Sequence, residues 1–397
     1  MVQSSSPKSL DVKIARILEN PDVGDFILAD AKDADMAFGM AAAGRSPEQH
    51  ADEGRFRTIQ EYRDLMRQNV DSGLLDIMLM SASSNEELTI RQRLFDGTTV
   101  TPAARANDTT DIHVVKGGVY SGVASRPFRS ATIDHIMCGK VACAPEERSH
   151  GADLGLYSMT FNNDLDRDLE TLNAYGQFRV EAEQKGFRHF LEVFDPNACG
   201  EHCPSEAEMG RFIADHVGRA LAGVTTAGRP VFLKIAYHGP AAMEQLASYD
   251  RTIIPGILGG AAGTTFDAFY QLWEARRYGA RAALYGRMIN GSEDQITFIQ
   301  HLRWLADGQI DDPAECVRSY HAALEKKNIQ PFRRLEEDMA PTRRGAAYDS
   351  GKGTAVTPAA ATSTVAVPQE GNGGDFAAMS AEEKIAWNRQ RWDRILS

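Results

Sequence analysis

The sequence predicts an α/β fold, a single closed (β/α)8 TIM barrel with an insertion before strand four and a C-terminal extension. Two observations carry that expectation: eight short, continuous apolar runs, and helical patterns between most of them. Strands covered on both faces read as unbroken apolar runs rather than alternating ones. Eight such strands with their helices also account for the greater part of a 397-residue chain. An open doubly wound sheet is the structural alternative.

Residues 1–20 read as a short polar leader and one helix. Segment 25–39, DFILADAKDADMAFG, places a brief apolar strand before acidic residues. Helical signals follow over 47–72, where Pro47 can open a helix and Phe56, Ile59, Tyr62, Leu65 and Met66 recur at three- and four-residue spacing. Gly73 introduces LLDIMLMSA as strand two, and 84–93 reads as a short helix. TTVTPAARAN supplies strand three at 97–101. Residues 102–150 exceed an ordinary connection, so extra strands and a short helix are expected within them. Regular alternation resumes with strand four in ADLGLYSMTF, strand five at 188–194, strand six at 229–237, strand seven in RTIIPGILGG and strand eight at 280–288. Helices are expected at 164–185, 204–225, 239–249, 264–279, 291–306 and 311–326, the last with Pro313 near its start.

The barrel domain is therefore drawn over residues 1–340, with a low-complexity linker at 341–376 and a C-terminal helix at 377–397. The linker is rich in Gly, Ala, Ser, Thr and Pro and poor in large apolar side chains. In the last segment Ser380 can cap a helix with Glu383 at the capping-box position, and Ile385, Trp387, Trp392 and Leu396 give it anchors for the barrel or a neighbouring subunit. Homo-oligomerisation is compatible with this arrangement.

The formal charge of -12 argues against a nucleic-acid partner, since that affinity comes mainly from clustered Lys and Arg. No stretch approaches 18 uninterrupted apolar residues, so no membrane partner is expected. The N-terminal segment lacks the apolar core of a secretory signal, and a cytoplasmic compartment is the default. Five cysteines do not suggest a disulfide framework in a chain this long. Cys199 and Cys203 flank Glu201 and His202, but no second cysteine pair lies near enough to suggest structural zinc, and Cys138, Cys143 and Cys316 read as ordinary thiols.

Lys234 is the most informative residue. It lies inside the apolar run PVFLKIAYHGP, where an ammonium is costly to bury. Desolvation disfavours the charged form of a lysine, and a neutral amine can attack a carbonyl to form a Schiff base. Glu192 sits in the similar apolar pattern FLEVFDP, and a glycine-rich turn, Gly259-Gly260-Ala261-Ala262-Gly263, follows a later apolar run. The order reads as acid/base group, amine nucleophile, phosphate-binding loop. The plain alternative is an edge-strand lysine and a glutamate that form only an ion pair.

The segments FILADAKDADMAFG, LEVF, PVFLKIAY, IPGILGGAAG and LYGRMI, in that order, resemble the class I aldolase superfamily that includes deoxyribose-phosphate, archaeal-type fructose-bisphosphate, tagatose-bisphosphate and sulfofructose-phosphate aldolases. The resemblance covers roughly residues 20–310. It implies that Lys234 on strand six is the Schiff-base lysine and Glu192 on strand five an acid/base group. It further implies that Asp30, with Asp33 as a nearby alternative, is the acidic group of strand one. The substrate phosphate site would be formed by Gly259, Gly260, Gly286 and Arg287, where glycine permits close backbone approach and arginine adds a bidentate contact. The chain departs from the pattern on strand four, where some members carry another lysine and ADLGLYSMTF has none. Lys116 lies in the insertion and is not its equivalent by spacing, while Tyr157 and Asn162 are candidates for polar contacts there.

The function expected is reversible carbon–carbon cleavage of a ketose phosphate or related anionic sugar, with no cofactor and no metal. The competing readings are a phosphosugar isomerase, epimerase or acyltransferase on the same barrel, a metal-dependent aldolase, and a noncatalytic phosphosugar-binding protein. For a metal enzyme, His113, His135, His189, His202 and His238 do not form a short ligand motif.

Overall fold

The computed structural model describes residues 7–46, 55–260 and 263–342. The chain divides into two compact units, residues 1–351 and 352–397. The second unit, and with it the expected C-terminal helix and nearly all of the expected linker, lies outside the described residues. The first contains a closed barrel of eight parallel strands. In chain order these are β1 (Ile27–Lys32), β2 (Ile77–Met80), β3 (Thr101–Arg105), β4 (Leu154–Thr160), β5 (Arg188–Phe194), β6 (Leu233–Ile235), β7 (Gly256–Leu258) and β8 (Ala282–Tyr285). Each pairs with its sequence neighbours, and β8 closes on β1.

Side chains alternate along each strand and divide the core in two. Ile27, Ala29, Ile77, Leu79, Ala103, Leu154, Leu156, Phe190, Phe232, Ile254, Ala282 and Leu284 pack as one cluster inside the barrel. The rings of Phe190 and Phe232 stack there at 4.6 Å between centroids. Leu28, Met78, Met80, Leu191, Val193, Leu233, Ile235 and Ile257 face the other way, into the larger cluster shared with the helices. Leu10 and Ile17 of the helix Ser9–Glu19 join the interior cluster and close the N-terminal end of the barrel.

Three boundaries differ from the sequence expectation. Strand three begins at Thr101 and runs to Arg105, later than the expected 97–101, with Pro102 paired opposite Met78. Proline, which lacks an N–H, is tolerated near a strand start. The helix expected from Pro47 begins at Ile59, because Thr58 and Glu61 form a capping box; Arg55–Phe56 instead pairs with Arg45–Ser46. Residues 47–54 lie outside the described residues. The insertion contains the expected extra strands, an antiparallel pair at Asp108–Thr109 and Pro127–Phe128, and a helix at Ile133–Cys138.

The cysteines require a correction. Cys138 pairs with Cys143 and Cys199 with Cys203 as disulfides, leaving Cys316 free and buried. Their sequence separations of 5 and 4 close short loops, a pattern that does not resemble a long-range framework. Among the described residues no helix is long and apolar enough to cross a membrane.

Asp76 ties the lower end of the barrel together. Its carboxylate accepts from Lys13 Nζ at 2.8 Å, Arg303 Nη1 at 2.9 Å and the backbone N–H of Leu28 at 2.8 Å. Burial opposes its charge, but Lys13 and Arg303 outweigh that and hold the carboxyl below its ordinary range. Asp76→Ala leaves two cations beside a buried gap, and we expect a loss of about 3–5 kcal/mol in urea unfolding. A carboxyl depressed by folding contributes stability above its unfolded pKa, about 3.9 for aspartate. The difference between parent and variant should thus be constant near neutrality and shrink as the pH falls below about 4.

Candidate active site

Buried charged side chains gather toward the C-terminal ends of the strands, the face where barrels of this architecture carry their sites. Lys234 lies on β6 between Leu233 and Ile235, whose side chains point out to the helices, so Lys234 points in. Lys234 is directly opposite Glu192 in the β5–β6 register, and Glu192 is directly opposite Ser158 in the β4–β5 register. Parallel strands lie about 4.8 Å apart, so this row sets three polar side chains side by side. Lys234 Nζ is 2.6 Å from Glu192 Oε1. Ser158 Oγ donates to Glu192 Oε2 at 2.6 Å. Glu192 is 1% exposed and Lys234 7%.

Arg105, the last residue of β3, reaches into the same row. Its Nε donates to Asp33 Oδ2 at 2.6 Å, its Nη1 to Ser158 Oγ at 3.0 Å, and its Nη2 lies 3.5 Å from Glu192 Oε2. Burial alone would weaken this guanidinium's hold on its proton, but Asp33 and Glu192 more than compensate and raise its pKa above the ordinary value. Two carboxylates and two cations thus balance inside the barrel mouth. Asn107, beyond the end of β3, continues the ladder with its side chain: its Oδ1 accepts from the N–H of Ser158 at 2.6 Å and its Nδ2 donates to the Ser158 carbonyl at 2.8 Å.

The alternation along strand one separates its two acidic candidates. Ile27 and Ala29 face the interior, so Asp30 faces the helices and Asp33 the barrel mouth. Asp30 Oδ2 accepts from Asn69 Nδ2 at 2.7 Å and lies 3.4 Å from Lys32 Nζ. Burial raises the Asp30 carboxyl and lowers the Lys32 ammonium. Asp30 does not meet Lys234 and Glu192; Asp33 does, through Arg105.

The four expected phosphate contacts have structural reasons of their own. The Gly259 N–H is spent in the ladder, on the Leu284 carbonyl at 2.8 Å, and a Cβ there would meet the Tyr285 ring at 2.2 Å. A Cβ on Gly286 would meet the carbonyl oxygen of Ala31 at 2.5 Å. Gly260 turns in the left-handed region, φ +62°, with open space around it. Arg287 places its guanidinium carbon 5.8 Å from the centre of the Phe38 ring, at the barrel rim. The next helix, Thr265–Arg277, has its Thr265 N–H engaged by Asp338 Oδ1 at 2.8 Å.

Above the row the mouth is apolar: Ala37, Ile112, Phe194, Ala236 and Leu258 cluster there with Phe38 against them. The insertion bridges this opening. Asp111 accepts from Thr160 Oγ1 at 2.7 Å and from Ser125 Oγ at 2.9 Å. The Val114 N–H donates to the Ala37 carbonyl at 2.8 Å. Asn197, after β5, receives the Ser125 N–H and donates to the carbonyls of Ser121 and Val123. Asn162 accepts from the N–H groups of Asn197 and Ala198, whereas Tyr157 packs outward against Tyr175 and Phe178. Sequence reading missed Arg105, Ser158 and Asp111. An arginine ending an otherwise apolar strand is the one available signal, and the early placement of strand three concealed it.

Among the described residues no group of three or more His, Cys, Asp and Glu side chains is arranged to hold a metal ion. His202 cannot share a metal with Cys199 and Cys203 while those two are bonded to each other.

No protein-family profile matches this chain, and no curated protein matches it in sequence. Solved structures do match its fold. An archaeal fructose 1,6-bisphosphate aldolase is 15% identical, with a TM-score of 0.52, over 76% of this chain and 100% of that one. A Schiff-base-forming fructose-1,6-bisphosphate aldolase is 17% identical, with a TM-score of 0.51, over 75% and 100%. A fructose-bisphosphate aldolase from Slackia heliotrinireducens is 12% identical, with a TM-score of 0.56, over 79% and 90%. What is shared at these identities is the fold, a closed (β/α)8 barrel.

The buried row makes a stability prediction. Arg105→Met removes the cation between Asp33 and Glu192, and urea unfolding should show a loss of about 3–5 kcal/mol. Adding Glu192→Gln should cost less than its separate effect, because the two side chains share one network.

Proposed function

We propose that this protein is a class I aldolase that cleaves a ketose phosphate, or a related anionic sugar, through a Schiff base on Lys234. The observation that carries the reading is the buried contact between Lys234 Nζ and Glu192 Oε1 at 2.6 Å, at the C-terminal face of an aldolase-like barrel. Glu192 Oε1 can take the ammonium proton, and the freed amine attacks the substrate carbonyl. One proton passes from the newly bonded nitrogen to the former carbonyl oxygen and gives a neutral carbinolamine. Glu192 then returns its proton to that hydroxyl, which leaves as water as the C=N bond forms. A carboxylate, Glu192 or Asp33, removes the proton of the hydroxyl two carbons away. The carbon–carbon bond breaks, its electron pair moves into the iminium as an enamine, and an aldehyde departs. Protonation of the enamine and addition of water release the second product and restore the amine.

The buried charges suit this chemistry because water is largely excluded where protons must move between fixed partners. The apolar rim and the bridging insertion would contribute to that exclusion. The distal anionic group is assigned to Gly260, Gly286 and Arg287, at the rim beyond β7 and β8; Gly259 supports the turn by packing, since its N–H is used in the ladder. A cytoplasmic location is part of this proposal.

Activity assays that detect aldehyde release test the proposal. Lys234→Met should abolish cleavage, and Glu192→Gln should slow it by about 10²–10⁴-fold in a protein that still unfolds cooperatively. Arg287→Ala should lower kcat/KM for the phosphorylated ketose more than for its unphosphorylated analogue. Full activity in a folded Lys234→Met variant contradicts the imine mechanism. Equal treatment of both substrate forms by parent and Arg287→Ala contradicts the phosphate site alone.

A further inference from the structure

We propose that Ser158 is a positioning residue that decides which oxygen of Glu192 exchanges a proton with Lys234. The inference rests on the Schiff-base reading above. Arg105 carries only hydrogen-bond donors. Its Nη1 lies 3.0 Å from Ser158 Oγ, so the serine oxygen must accept there. The one hydroxyl hydrogen of Ser158 is then directed at Glu192 Oε2, 2.6 Å away. That oxygen also faces Arg105 Nη2 at 3.5 Å. An oxygen already accepting a hydroxyl proton beside a guanidinium is a poor place for a second proton. When Glu192 is protonated, the proton therefore sits on Oε1, the oxygen 2.6 Å from Lys234 Nζ.

The backbone is prepared for this role. Ser158 is fully buried, and the side chain of Asn107 clamps both its N–H and its carbonyl. Strand four has no lysine on this face, and the hydroxyl–guanidinium pair supplies the polar contact to Glu192 instead. Without the hydroxyl, Oε2 becomes a competing proton site that points away from Lys234. Proton transfer should suffer while the amine keeps its access to the carbonyl.

The test compares the parent with Ser158→Ala, Ser158→Cys and Ser158→Thr. Cysteine keeps the shape but donates weakly, and threonine restores the hydroxyl. Two readouts are taken on dihydroxyacetone, dihydroxyacetone phosphate and fructose 1,6-bisphosphate: borohydride capture on Lys234, and the pH dependence of turnover or of carbon-bound proton exchange in heavy water. The inference expects the Ala and Cys variants to retain capture on Lys234 with KM within about 3-fold of the parent. It expects their kcat to fall by about 10-fold or more, part of the usual general acid/base contribution, with a displaced pH profile. Threonine should recover most of both. If all variants are captured on Lys234 and the Ala and Cys variants keep the parent's kcat and pH profile, the inference is overturned and the Schiff-base reading stands. If the parent itself gives no Lys234 adduct with any of the three compounds, that reading and this inference fall together.

Discussion

In a buried barrel mouth two ionised carboxylates repel each other unless a cation lies between them. Arg105 is that cation: it bonds Asp33 at the end of β1, reaches Ser158 on β4, and faces Glu192 on β5. Its planar, permanently charged fork can serve all three directions at once, which the single ammonium of a lysine does with less geometric control. Glu192 is thereby left with one oxygen fastened and one facing Lys234. The contact between Lys234 and Glu192 is therefore set by Arg105 and Ser158 as much as by the pair itself.

The rest of the fold holds that balance in place. Register across β4, β5 and β6 sets Ser158, Glu192 and Lys234 in a row, and the apolar interior beneath them denies the row any solvent from below. The helix Ser9–Glu19 closes the far end, fastened through Lys13 to Asp76. Over the top, the insertion is pinned by Asp111 on one side and by the Val114–Ala37 backbone bond on the other. A buried ion network of this kind adds little net stability against a well-packed apolar replacement, although removing one member is costly.

Lys234 and Glu192 were legible in the sequence because a charge inside an apolar run breaks the pattern that makes a strand recognisable. Asp33 was harder to separate from Asp30. Both lie near one strand end, and only the two-residue alternation, fixed by which of Ile27 and Leu28 faces inward, tells them apart. Arg105 was hidden because Pro102 lies within strand three, and the run before it is equally extended in character. Ser158 had no signal, since a serine within a strand is ordinary until its neighbours across the sheet are known. The glycines were read as allowing backbone approach to an anion, whereas Gly259 and Gly286 lie tight against Tyr285 and the Ala31 carbonyl, partners no local pattern reveals. Cysteine spacing likewise did not disclose two short-range pairings.

The proposed mechanism requires a covalent bond between Lys234 and a substrate carbonyl. The most direct measurement is mass spectrometry of the protein reduced with borohydride in the presence of a ketose phosphate, with the modified peptide sequenced. The proposed mechanism predicts one added reduced substrate moiety per chain, located on Lys234, and none in Lys234→Met. An adduct on a different lysine, or turnover of the same compound with no adduct formed, contradicts it.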